Sequence, residues 1–90
     1  MKVLNLTLDT EFQLAYAYLG SGEVSKTIEV HPSINVDLKE NGEVFGVEFL
    51  SFNTLEISKE ALRSNNKELK DAELEAVLFA QEKVRERLAN

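Results

Sequence analysis

Residues 34–50 read INVDLKENGEVFGVEFL, two apolar-alternating runs that meet at Asn41-Gly42. Asn-Gly is the strongest short-range signal for a two-residue type I′ turn, because both central positions need positive φ. A turn there pairs Glu40 with Glu43, Leu38 with Phe45, Val36 with Val47 and Ile34 with Phe49. From Leu38 outward every pair on that face is apolar. A slip of one residue would turn Phe45, Val47 and Phe49 to water, so the pattern specifies the register. The other face sets Asn35, Asp37 and Lys39 against Glu48, Gly46 and Val44. Gly46 lies opposite Asp37, and a glycine inside a strand marks a bulge or a close approach by another group.

Toward the N-terminus, Leu4, Leu6 and Leu8 alternate with Asn5, Thr7 and Asp9, the mark of a half-buried strand. Phe12, Leu14, Tyr16 and Tyr18 alternate with Gln13, Ala15 and Ala17 in a second strand. Its small-residue face is covered or lies close to another backbone. Gly20-Ser21-Gly22 reads as a hairpin turn. Val24–Val30 forms a third strand, with Ile28 and Val30 inward and Thr27 and Glu29 outward. Pro32 has no N–H to give and belongs at a corner.

After Thr54 the period changes. Ser58 is placed to cap a short helix over Lys59–Arg63, and Asp71 to cap a longer one. In the longer helix Glu73 and Glu75 come early while Lys83, Arg85 and Arg87 come late, which complements the macrodipole. Leu74, Val77, Leu78, Val84 and Leu88 make an apolar stripe, with Gln81 its one polar position. The reading is one α+β domain over 1–90: an antiparallel β-meander of about five strands over 1–52, and a helical extension over 53–90. The C-terminal helix is expected on one sheet face, across Leu6, Tyr16, Ile28, Val36 and Val47. The alternative pairs its stripe with that of a second chain, but about two and a half heptads is short for an independent coiled coil.

Asp37, Gly42, Val44, Gly46, Val47, Glu48 and Leu50 resemble the D-x-x-x-x-G-x-V-x-G-[IV]-E-x-[IL] ending of domain of unknown function 2283, a family of small bacterial and phage proteins. Asp9, Tyr16, Thr27 and Val30 fit the same pattern, and the resemblance covers Met1–Phe52. It departs at Gln13, where family members carry an acidic residue shortly before the tyrosine. The resemblance implies a compact β-rich fold and brings no activity with it.

Composition narrows the function classes. With no cysteine there are no disulfides, thiolate metal sites or cysteine nucleophiles. A domain this small without such staples points to the cytoplasm. The start, MKVLNLTLDTEF, has no continuous apolar segment of the kind that targets secretion. No run is long enough for a membrane helix. The net charge of −6 argues against nucleic acid and favours a basic partner.

Asn35, Asp37 and Glu48 share the polar face of the hairpin, with Asp37 and Glu48 diagonal across the strands. Such oxygens suit Mg²⁺ or Ca²⁺, but an ordinary solvated sheet face carries the same residues. His31 is the only histidine and reads as a strand-edge surface residue. Gly20-Ser21-Gly22 lacks the lysine of a phosphate loop. Tyr16 and Tyr18 sit on a strand with no Lys or Arg, so core packing is the expectation rather than base stacking.

The leading expectation is therefore a non-enzymatic protein-interaction module without cofactor. A phage or mobile-element accessory role fits, for instance an antitoxin-like one toward a small basic partner. Self-association as a dimer is also expected, because a meander leaves unpaired edges. Leu78, Phe79, Val84 and Leu88 are the expected contacts. The alternative is a small metal-binding protein or enzyme that uses the Asp37/Glu48 face.

Overall fold

The computed structural model describes residues 1–90. Five strands, β1 (Asn5–Asp9), β2 (Leu14–Tyr18), β3 (Lys26–His31), β4 (Ile34–Leu38) and β5 (Val44–Phe49), form one antiparallel sheet. A single 3₁₀ turn at Phe52–Thr54 leads into α1 (Lys59–Asn65) and α2 (Asp71–Leu88). The expected α+β class, five strands followed by helices, is what the chain forms.

The hairpin register holds where the core needs it. Ile34 pairs with Phe49, Asn35 with Glu48, Val36 with Val47 and Asp37 with Gly46. Nearer the turn the expectation fails. Gly42 has φ +88° while Asn41 does not enter the positive region, so the turn is not type I′. Lys39 donates its N–H to the Glu43 carbonyl at 2.8 Å, which leaves a three-residue loop, Glu40-Asn41-Gly42, with the left-handed residue last. The longer loop shifts Leu38 onto Val44, and a bulge at Phe45 restores the pairing beyond it. Val44 therefore packs on the core, and Phe45 turns to the opposite face, against the Tyr18 ring.

The strand order is β1-β2-β5-β4-β3, not that of a simple meander. β5 inserts beside β2, and Gly20-Ser21-Gly22 belongs to a crossing connection rather than a hairpin turn. The N–H groups of Leu19 and Gly20 both reach the Phe45 carbonyl in that crossing, and the Ser25 N–H reaches the Leu38 carbonyl. On the opposite edge of β5, β4 and β3 complete the sheet through the tight His31–Ile34 turn that holds Pro32.

Both helices lie on one face. α2 crosses β5 and β2, and α1 packs against β3 and α2. On β2 the covered residues are Ala15 and Ala17, both buried, and Ala76 and Ala80 of α2 are buried too. Small side chains on both surfaces let helix and sheet approach closely, so the larger Tyr16 and Tyr18 fall on the other face. Tyr16 was expected under the helix; Val36 and Val47 are there and fully buried, with Leu6 and Ile28 at the margin. The stripe of α2 is spent inside the chain, with Leu74, Val77 and Val84 buried, which decides against pairing it with a second helix.

Polar groups fix the helices. Ser58 caps α1, its hydroxyl accepting the Ala61 N–H at 3.1 Å. At α2 the cap position is Lys70, one residue earlier than expected, and the Glu73 carboxylate accepts the Lys70 N–H at 3.1 Å. Gln81, only 2% exposed, clamps the 57 backbone from both sides. Its Oε1 accepts the Ile57 N–H and its Nε2 donates to the Ile57 carbonyl, each at 3.1 Å. Arg85 donates to the Leu55 carbonyl, and Arg63 to the Leu69 carbonyl and to Asp71.

Candidate functional site

The face of the sheet away from the helices is uncovered. Pleat alternation and register put Leu14, Tyr16 and Tyr18 of β2 on it, beside Gly46 and Glu48 of β5, Asn35 and Asp37 of β4, and Thr27 and Glu29 of β3. Extending the Ala15–Phe49 register sets Leu14 opposite Leu50, and both are exposed. The rings of Tyr16 and Tyr18 lie 4.6 Å apart, and Phe45 meets Tyr18 edge-on at 5.9 Å. Aromatic and apolar side chains thus run along β2 and β5, with Glu48 among them opposite Tyr16 and with Asp9, Asp37 and Glu29 on the other strands of the same face. Lys39, on the same face, is engaged by Glu43 at 3.4 Å.

Tyr16 reaches across a whole strand. It sits on β2, yet its hydroxyl donates to Asp37 Oδ2 on β4 at 2.5 Å. Two strand spacings are roughly 9–10 Å, so the ring must lie flat over β5. Gly46 is the residue it crosses: a methyl there would fall onto the Tyr16 ring and within 2.5 Å of its oxygen. Thr27 donates to the other carboxylate oxygen, Asp37 Oδ1, also at 2.5 Å. Asn35 donates to Glu48 Oε1 at 3.1 Å. Both anticipated meanings of Gly46 are met, a bulge at its neighbour and a close approach above it.

Burial, then the hydrogen bond to Asp37, then the charges of Asp37 and Glu48 and the neighbouring Tyr18 push the Tyr16 phenol far above its ordinary range. The unfolded chain releases that proton near pH 10, whereas the folded chain retains it. Stability contributed by the neutral phenol is therefore fully present below about pH 10 and is lost as pH rises further. In Tyr18→Phe, which leaves Tyr16 as the single tyrosine, phenolate absorbance at 295 nm is expected to rise only together with unfolding. Phenolate forming in the folded protein near pH 10 would contradict the assignment.

The three residues singled out on the hairpin do come together, but as a bonded lattice rather than an open ligand set. Asp37 is held by two hydroxyls and Glu48 by an amide. No group of three His, Cys, Asp or Glu is placed to hold a metal ion. His31 serves its turn, its Nδ1 accepting the Ser33 N–H at 3.2 Å. Of the helix contacts expected, Val84 is fully buried and Leu78 packs partly on the core. Phe79 is half-covered with Lys83 Nζ 5.3 Å from its ring centre, and Leu88 is the exposed member, at 37%. Tyr18 and Phe45 were missed as surface residues. The signal lay in the all-alanine second face of β2, which marks the covered side.

The residues of the family pattern have legible work in this fold. Asp9 Oδ1 accepts the N–H groups of Glu11 and Phe12 at 3.0 Å and closes the β1–β2 turn, where Gln13 takes φ +56°. Gly42 makes the hairpin loop, and Val30 and Val47 are core. Tyr16, Thr27, Asp37, Gly46 and Glu48 build the open face. The class is thus a small α+β domain with one sheet face covered and one free. The model of the family described as protein of unknown function (DUF2283) matches residues 5–53, and the chain belongs to that family. No curated protein and no solved structure matches the chain. The helices beyond residue 53 lie outside the match, and none is long and apolar enough to cross a membrane.

Proposed function

We propose that this protein is a non-enzymatic interaction domain that docks a basic protein on the open face of its sheet. The observation that carries this reading is the group Leu14, Tyr16, Tyr18, Phe45 and Leu50, left uncovered by the helices on a face that also carries four carboxylates. Aromatic side chains supply large contact area at low entropic cost. The flanking acids select Lys- and Arg-bearing surfaces and repel acidic ones. Asp37 supports a structural rather than catalytic reading, since hydroxyl donors occupy both of its oxygens. An antitoxin-like role toward a small basic partner remains one concrete form of this function.

Affinity capture from the native host, read by mass spectrometry, tests it. Leu14→Asp and Leu50→Asp alter exposed positions and should leave the thermal melt within a few degrees of the parent. The expected result is a stoichiometric basic partner held by the parent and by Leu88→Asp, and lost from both sheet-face variants. A partner lost instead from Leu88→Asp would move the interface to the helix. Heat release on titration with Mg²⁺ or Mn²⁺, abolished in Asp37→Asn, would replace the reading by the metal-site alternative.

A further inference from the structure

β1 is a free edge whose sequence is built to pair with itself. We infer that two copies of this chain join antiparallel through β1, centred on Thr7, into one continuous ten-stranded sheet. The inference is independent of the docking function.

The backbone polarity of β1 follows from its neighbours. The Leu19 N–H bonds the Phe45 carbonyl at 2.9 Å, so the odd-numbered residues of β2 turn their polar groups to β5. Tyr16 and Tyr18 then bond β1, opposite Thr7 and Asn5. This leaves the N–H and C=O groups of Leu6 and Leu8 pointing away from the sheet. Consistent with that, the Leu6 N–H bonds the Asn5 side chain at 3.0 Å.

A two-fold axis through Thr7 matches those groups. Leu6 faces Leu8 of the second copy, and each such pair exchanges two N–H···O bonds, four in all, the Leu6 N–H leaving the Asn5 side chain for the Leu8 carbonyl of the second copy. Thr7 meets its own equivalent in the close, non-hydrogen-bonded position. Asn5 faces Asp9 of the second copy; Asp9 Oδ1 is taken by its own turn, and Oδ2 is free for the Asn5 amide. Side chains agree as well as backbone. Leu6 and Leu8 both lie on the helix side of the sheet, only partly buried, and pairing brings four leucines together there. Within the paired strands no like charges are opposed, since Asp9 is the only charged residue of β1 and faces Asn5.

The opposite edge lacks these properties. β3 carries Lys26, Glu29 and His31, and α1 packs against it. Charged residues on an edge are the usual guard against strand addition, and β1 carries only Asp9, at its end. Joining edge to edge also keeps the two acidic open faces side by side rather than opposed.

The chain has no cysteine, so Thr7→Cys gives a clean test. Across a close antiparallel pair the Cα atoms are about 4.5 Å apart, within disulfide reach. Under mild oxidation Thr7→Cys is expected to form a covalent dimer rapidly, and Glu29→Cys on the other edge to remain largely monomeric. Light scattering should give a dimer for the parent and monomers for Thr7→Lys and Thr7→Glu, which place like charges on the axis. An equimolar mixture of those two variants should return to a dimer. A parent that stays monomeric at millimolar concentration, or a dimer that Thr7→Lys leaves intact, would overturn the inference.

Discussion

Gly46→Ala is expected to destabilise the protein by about 3 kcal/mol, a large share of the stability of a domain this size. The new methyl has no free space, because it meets the Tyr16 ring and hydroxyl on the open face. Backbone strain plays no part, since Gly46 is not in the positive-φ region. Either the ring lifts and loses its charge-assisted bond to Asp37, or β5 shifts beneath it and disturbs Val47 and Phe49, both fully buried. Thermal unfolding should fall by roughly 15 °C. The double variant Tyr16→Ala/Gly46→Ala removes the obstructed ring, so its loss should be smaller than the sum of the single losses by more than about 1 kcal/mol. Additive losses would show that the glycine serves something other than the Tyr16 crossing.

Gln81→Leu should cost a comparable amount, about 3 kcal/mol by chemical denaturation, although it places an apolar residue in an apolar stripe. Hydropathy alone predicts a gain there. The structure predicts a loss, because the part-buried N–H and C=O of Ile57 would both lose their partner. Gln81→Glu separates the two bonds. A carboxylate still accepts from the Ile57 N–H but turns a second oxygen toward the Ile57 carbonyl. Relative to the parent, that variant should be weak at neutral pH and recover as acid protonates the new carboxyl, which then donates. A neutral or stabilising Gln81→Leu would remove the clamp from the account of how α2 is held.

Both positions attract notice in the sequence for the right reason but with an incomplete meaning. Gly46 stands out as a glycine within a strand, and Gln81 as the polar break in a helical stripe. What each one answers to, a tyrosine on the adjacent but sequence-distant strand β2 and a backbone segment 24 residues earlier, is a long-range contact with no local trace. The same limit explains the misplacement of Tyr16 and Tyr18. Alternation separates the two faces of β2 without naming the inner one, and larger apolar side chains are the ordinary choice for it. Here close helix packing selected the alanines.

The sequence by itself determined the α+β class, the outer hairpin register from Ile34–Phe49 to Asp37–Gly46, the Ser58 cap and the helix periods. These rest on alternation, turn chemistry and capping, all of which act within a few residues. Only the tertiary structure decided the order β1-β2-β5-β4-β3, the bulge that turns Phe45 outward, and the assembly of Tyr16, Thr27 and Asp37 into one bonded group. It also decided that the apolar stripe of the last helix is spent on the core while one face of the sheet stays free of the helices. Strand order and face choice are settled by which surfaces pack most closely over long chain separations, and that competition is not written in any single segment.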